Sequence, residues 1–226
     1  MSTPLTTPRY EVVLLDLDGT IIDSLPGIAV SVRHGLQAIG FTEVTDEVIM
    51  KFMGPPLKDV LVDHYGRPES DIGSFFTAYK EMYFDNAEYD FELYPGLAKL
   101  IEDLNAAGVT LILATAKPDV SAERILQHAK LDHLFAIVAG SHEDGSRQVK
   151  TDVLAHAFEL ASIDHTNTSI VMVGDRDTDI VAAEHFGIDS IAITYGYAPE
   201  GELEALSPTF YASNADELRA ILLPQQ

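Results

Sequence analysis

The chain has 226 residues with 36 acidic and 14 basic side chains, giving a formal charge of −22. Such a field repels nucleic acids and anionic membranes, so neither is an expected partner. Cysteine is absent, which excludes a disulfide framework, a thiol nucleophile and a cysteine-type zinc site.

Hydrophobic residues make up 46% of the chain, enough for a sizeable core, and the length suits one core domain plus an insertion. Residues 1–9 are rich in Thr and Pro without an apolar stretch, so no signal peptide is expected. No apolar run approaches the length of a membrane span. A cytoplasmic enzyme is the expectation.

Residues 12–15 are consecutive aliphatic and β-branched residues, a pattern that predicts a strand buried on both faces. It runs into Asp16-Leu17-Asp18-Gly19-Thr20, where two carboxylates stand two residues apart before a glycine turn. Such acids repel each other unless a cation lies between them. A hard divalent ion such as Mg2+ answers the repulsion and leaves a carboxylate oxygen able to attack an electrophile. An Asp-Gly turn with solvated acids is the plainer alternative.

Residues 24–93 show helical patterns over 27–39, 45–52, 57–65 and 72–84 and no strand, punctuated by Gly54-Pro55-Pro56 and Gly66-Arg67-Pro68. This insertion leaves the core just after the paired acids, a position that suits a helical cap able to exclude water and select substrates. The expected division is a core of 1–23 and 94–226 with a cap of 24–93. Beyond it, strands are predicted over 109–114, 135–139, 169–173 and 190–194. They alternate with helices over 95–107, 120–129, 152–161, 180–186 and 215–223. Alternation of this kind predicts an α/β fold, a doubly wound parallel sheet of Rossmann-like type with its chemistry beyond the carboxyl ends of the strands.

Three more pieces of chemistry lie at such ends. Thr115 follows the second core strand, where its hydroxyl and the Ala116 N–H can bind phosphate oxygens or merely cap a helix. Lys150 opens the helix before residue 160. A cation at a helix start is mildly disfavoured unless it neutralises a nucleophile and a bound phosphate. In Gly174-Asp175-Arg176-Asp177-Thr178-Asp179 a buried strand again ends in Gly and acids. Asp175 can reach the same cation as Asp16, and Asp179, one turn on, can orient the water shell of the metal. The eight histidines show no metal-ligand spacing.

These pieces resemble the haloacid dehalogenase-like hydrolase superfamily. Asp16 to Thr20 match its first motif, Thr115 its second, Lys150 its third and residues 174–179 its fourth. The insertion resembles the α-helical C1 cap. Residues 16–24, Gly54-Pro55-Pro56-Leu57 and Ile193-Thr194-Tyr195-Gly196-Tyr197 are most similar to the phosphoglycolate phosphatase-like group. The Thr after Lys150 departs from the Lys-Pro of many relatives.

The resemblance and the residue chemistry imply one scheme. Asp16 attacks phosphorus and forms an aspartyl-phosphate, while Asp18 acts as general acid and then general base. Mg2+ sits on Asp16, Asp175 and the Asp18 carbonyl, and Thr115, the Ala116 N–H and Lys150 hold the phosphate. Gly54, Pro55, Lys58 and Arg147 are candidates for substrate choice. The expected partner is a small phosphorylated metabolite, phosphoglycolate or a relative of it, and the expected assembly a monomer or homodimer. A 5′-nucleotidase, a pyrophosphatase, a sugar-phosphate phosphomutase and a non-catalytic binding protein on the same fold remain alternatives.

Overall fold

The structure is a computed structural model that describes residues 7–53, 57–142, 147 and 149–224. Two compact units make it up, Met1–Ile22 with Leu93–Gln226, and Asp23–Glu92. In chain order the elements begin with β1 (Val12–Leu15), β2 (Ile22–Asp23), α1 (Leu25–Ala38), α2 (Asp46–Met50), α3 (Leu57–Asp59) and α4 (Glu69–Met82). Next come β3 (Glu92–Leu93), α5 (Leu97–Ala106), β4 (Thr110–Pro118), α6 (Asp119–His128), β5 (Ile137–Ser141) and α7 (Lys150–Ala161). The chain ends with β6 (Ile170–Gly174), α8 (Asp177–Phe186), β7 (Asp189–Ile193), β8 (Phe210–Ala212) and α9 (Ala215–Leu222).

The first unit is a six-stranded parallel sheet in the order β5-β4-β1-β6-β7-β8. All four residues of β1 are buried, because helices cover both faces of the sheet. Val12 and Leu14 point to one face, where they pack with Ile112, Ala114 and Met172 from the neighbouring strands. Val153, Leu154, Ala157 and Phe158 of α7 close over them, with Ala182 and Ala183 of α8. Each fully buried aliphatic side chain of this kind contributes ~1.5–3 kcal/mol. The fold is α/β and doubly wound, as the alternation predicts.

Strand β1 coincides with its predicted span, and β5, β6 and β7 shift by one or two residues. Strand β4 runs past 114 to Pro118, irregular between Ala114 and Pro118 before pairing with Ser141. Strand β8 was not expected. Of its three residues only Ala212 is buried, and so short a strand gives no run to read.

In the second unit α1 and α4 pack through Ile28, Val32 and Leu36 against Ile72 and Phe75. The predicted helix over 57–65 is instead α3 followed by a wider helical turn, Val60–His64. The expectation of no strand within 24–93 is corrected at its end. Strand β3 begins at Glu92 and pairs with β2 in a two-stranded ribbon too short to show alternation in sequence. Among the described residues no helix is long and apolar enough to cross a membrane.

Candidate active site

Parallel register brings the separated motifs level. Leu15 pairs with Leu113 on one side and Val173 on the other, so Asp16, Ala114 and Gly174 lie level across three adjacent strands. The Asp16 N–H donates to the Val173 carbonyl at 2.9 Å, fixing where its side chain starts. Gly19 then turns the chain at φ +80°, and a Cβ there would lie 2.2 Å from Asp175 Oδ2. Only glycine meets both conditions.

Around Asp16 the side chains are buried and charged. Lys150, the first residue of α7, is 4% exposed, and its Nζ donates to Asp16 Oδ1 at 2.8 Å and to the Ala114 carbonyl at 3.0 Å. The same Nζ lies 2.7 Å from Asp179 Oδ1, an ion pair outside hydrogen-bond geometry. Asp175 accepts from Thr20 Oγ1 at 3.2 Å and from the Tyr197 N–H at 2.7 Å. Asp179 also closes the start of α8, accepting from the Arg176 N–H at 3.1 Å.

Burial sets the electrostatics. It pushes the Asp175 carboxyl up to about 8, with Asp16 and Asp179 adding to the shift and the Tyr197 N–H opposing it. Burial likewise raises Asp179, against the pull of Lys150. For Lys150 burial lowers the ammonium pKa, but Asp16 and Asp179 outweigh it, and the net shift is upward. Three buried carboxyl groups thus crowd around one ammonium, and burial and mutual repulsion hold Asp175 and Asp179 toward the protonated form.

Oxygens from Asp16, Asp175 and Asp179 lie within 4.8 Å of one another. An all-oxygen set of three mutually repelling carboxyl groups fits a hard divalent cation such as Mg2+, which would take the place of their protons. The cluster takes in the side chain of Asp179, whereas the Asp18 carboxylate points to Lys117, with Oδ2 3.0 Å from Nζ and Oδ1 buried without a hydrogen-bond partner.

One pH dependence follows. The folded-state pKa of Asp175 lies above its ordinary 3.8, so between about pH 4 and about pH 8 the folded state keeps a proton that the unfolded chain has lost. The stability linked to Asp175 is therefore full at low pH and lost as pH rises through about 8. Thermal melting in chelator should give a lower Tm at pH 8.5 than at pH 6, and Asp175→Asn should flatten that slope. Equal slopes in the two proteins would contradict the assignment.

Of the other residues singled out in the sequence, Thr115 is 1% exposed within β4 and accepts from the Lys117 N–H at 3.2 Å, while Ala116 is exposed. Arg147 pairs with Asp119, the first residue of α6, at 3.1 Å. Lys58, in the other unit, is exposed and lies 3.6 Å from Glu69. Gly54 and Pro55 fall outside the described residues.

Sequence reasoning gave no role to Lys117, Thr20 or Glu202, all of which bear on the site. Glu202 takes Arg176 in a two-point pair at 2.8 and 3.0 Å and accepts the Asp177 N–H at 3.0 Å. Glu202 lies 26 residues from Arg176, and nothing in its own neighbourhood marks it. Lys117 and Thr20, by contrast, stand inside motifs and could have been found there.

The family model for haloacid dehalogenase-like hydrolases matches residues 13–193. The tyrosine-protein kinase PtkA of Mycobacterium tuberculosis is 37% identical over 223 residues, 98% of this chain and 75% of that protein. Its solved structure has a TM-score of 0.80 at 36% identity, covering 93% of this chain and 97% of the other. A 5′-nucleotidase of Pseudomonas aeruginosa is 33% identical, covering 95% of this chain and 96% of its own. A phosphoglycolate phosphatase of Vibrio parahaemolyticus is 29% identical, covering 96% and 98%. With its sheet, its strand-end acids and this match over most of its length, the chain belongs to the haloacid dehalogenase-like hydrolase family, in the phosphoglycolate phosphatase-like group.

Proposed function

We propose that this hydrolase is a phosphatase that cleaves a small phosphate monoester through an aspartyl-phosphate at Asp16, with Mg2+ as its cofactor. The observation that carries this reading is the placement of Asp16 at the end of β1, held by Lys150 Nζ at 2.8 Å beside Asp175 and Asp179. A nucleophile there is fixed by a buried cation, a preorganisation that costs nothing at the moment of reaction.

Asp16 attacks phosphorus in line, and the leaving alkoxide takes a proton from Asp18. Asp18 then removes a proton from the water that hydrolyses the intermediate. Lys117, 3.0 Å from Asp18 Oδ2, holds that carboxyl in place between the two steps. Lys150, Thr115 and the Ala116 N–H hold the equatorial phosphate oxygens, where charge develops. Mg2+ held by Asp16, Asp175 and the Asp18 carbonyl, with Asp179 beside them, would supply positive charge against the repulsion between carboxylate and phosphate. The helical unit Asp23–Glu92 serves as the substrate-selecting cap, and a cytoplasmic location suits the cysteine-free, acidic chain.

Phosphoglycolate is the favoured substrate class, on the phosphoglycolate phosphatase relative, with nucleoside 5′-monophosphates next, on the 5′-nucleotidase. PtkA supports a second reading. If ATP loads Asp16 with its γ-phosphoryl group and ADP departs, a tyrosyl hydroxyl deprotonated by Asp18 would take that group from the aspartyl-phosphate, which would make the enzyme a kinase.

Phosphate release from phosphoglycolate, nucleoside monophosphates, pyrophosphate and sugar phosphates separates these readings when run with Mg2+ and with chelator. Release concentrated on one ester and lost in chelator is expected. Label moving from ATP to tyrosine without ester hydrolysis would favour the kinase, and a bisphosphate-primed isomerisation would favour a mutase.

A further inference from the structure

The segment after β7 carries Tyr195, Gly196 and Tyr197, and all three bear on one carboxylate. The Tyr197 N–H donates to Asp175 Oδ2 at 2.7 Å. A Cβ at residue 196 would lie 2.4 Å from both Cβ and Oδ2 of Asp175, so glycine is what lets the backbone approach. Tyr195 is tied to Asp175 by way of Thr20. Its hydroxyl donates to the Thr20 carbonyl at 2.9 Å, and Thr20 Oγ1 in turn donates to Asp175 Oδ1 at 3.2 Å.

Thr20 is fully buried, and its backbone leaves the first motif just after the turn at Gly19. The ring of Tyr195 is held from the side by Tyr94, with centroids 4.6 Å apart at 54°. Tyr94 is itself tied to the same stretch, its N–H donating to the Ile21 carbonyl at 3.0 Å. The ring contact and the hydrogen bond together set the Tyr195 hydroxyl against the peptide that carries Thr20.

We propose that Tyr195 is a positioning residue for the metal-binding carboxylate Asp175, acting through Thr20. The inference rests on the reading of Asp175 as a ligand of Mg2+. The Thr20 hydroxyl and the Tyr197 N–H between them engage both oxygens of Asp175 and set the plane of its carboxylate. Tyr195 sets where the Thr20 hydroxyl stands. Partners of this kind, one bond removed from the ligand, change metal affinity because they decide which orientation the ligand holds before the ion arrives. Loss of the Tyr195 hydroxyl leaves the ring packed on Tyr94 but frees the Thr20 peptide to shift. The Thr20 to Asp175 bond, already long at 3.2 Å, is then the contact that lengthens.

The test is a titration of thermal melting with Mg2+ in the absence of substrate, on the full chain. It reads the metal-free Tm and the half-saturating Mg2+ concentration together. Tyr195→Phe should raise the half-saturating concentration about tenfold, with the metal-free Tm within about 2–4 °C of the unsubstituted protein. Thr20→Val should weaken binding to a similar extent, and Thr20→Ser, which keeps the hydroxyl, should restore it.

In the double variant Tyr195→Phe with Thr20→Val the loss should equal that of either single variant, because the proposed path from the Tyr195 hydroxyl to Asp175 runs through the Thr20 hydroxyl. Unchanged half-saturation in Tyr195→Phe overturns the inference. So does a double variant whose loss is the product of the two single losses, since Tyr195 would then act by another path. A protein whose Tm does not respond to Mg2+ at all removes the metal reading itself, and the inference with it.

Discussion

Asp16→Asn should lower phosphate release by at least about four orders of magnitude, the scale on which removal of a nucleophile is felt when the remaining groups act as a unit with it. The amide keeps the shape of the carboxylate, so the fold should survive. It also removes one of three buried negative charges around Lys150, leaving two carboxylates beside one ammonium. The metal-free Tm at pH 8 should therefore hold or rise while turnover vanishes. Circular dichroism and melting check the first point, and a phosphate assay at saturating substrate checks the second. Activity within tenfold of the unsubstituted protein would contradict the nucleophile assignment.

Lys150→Ala should cost about two to three orders of magnitude in kcat, as expected for losing one preorganised electrostatic contact to the transferring group. Stability should respond as well. Breaking a buried ion pair from one side costs ~3–5 kcal/mol when the stranded charge cannot escape. Here it can escape in part, because the raised pKa of Asp175 and Asp179 lets a proton replace the lost ammonium at lower pH. The variant should thus melt close to the unsubstituted protein at pH 6 and well below it at pH 8.5. Mg2+ should recover the Tm at pH 8.5 without recovering kcat, since the ion can balance the carboxylates but cannot take the place of the lysine on the phosphate. A loss of rate below tenfold would place Lys150 outside the chemistry.

The features legible in the sequence are those written in contiguous residues. Asp16 and Asp175 each follow a run of fully buried aliphatic residues, and such runs fix both the strand and its end. Once the strands are parallel, register carries the acids to the same layer without further information. Lys150 was visible as a cation set against the helix dipole, an arrangement that calls for a charged partner.

What the sequence hid is of two kinds. Short elements, β2, β3 and β8, give no period because two or three residues cannot show one. Long-range polar pairs give no local mark at all. Asp18 with Lys117, Arg176 with Glu202, and Tyr195 with Thr20 each join residues whose separation depends on the finished sheet. The turn from β7 toward the site carries only a family resemblance in its sequence, and the close approach of Gly196 to Asp175 exists only in the folded chain.

The most direct measurement is chemical trapping of the enzyme during turnover. Protein quenched in the steady state with substrate and Mg2+, then reduced with borohydride, should carry an alcohol in place of the Asp16 carboxyl, since borohydride reduces an acyl phosphate but not a free carboxylate. Mass spectrometry of the peptide spanning β1 reads that change. Reduction confined to Asp16, dependent on substrate, is the predicted result. Steady turnover with Asp16 unmodified, or with the reduction at another carboxylate, would contradict the account.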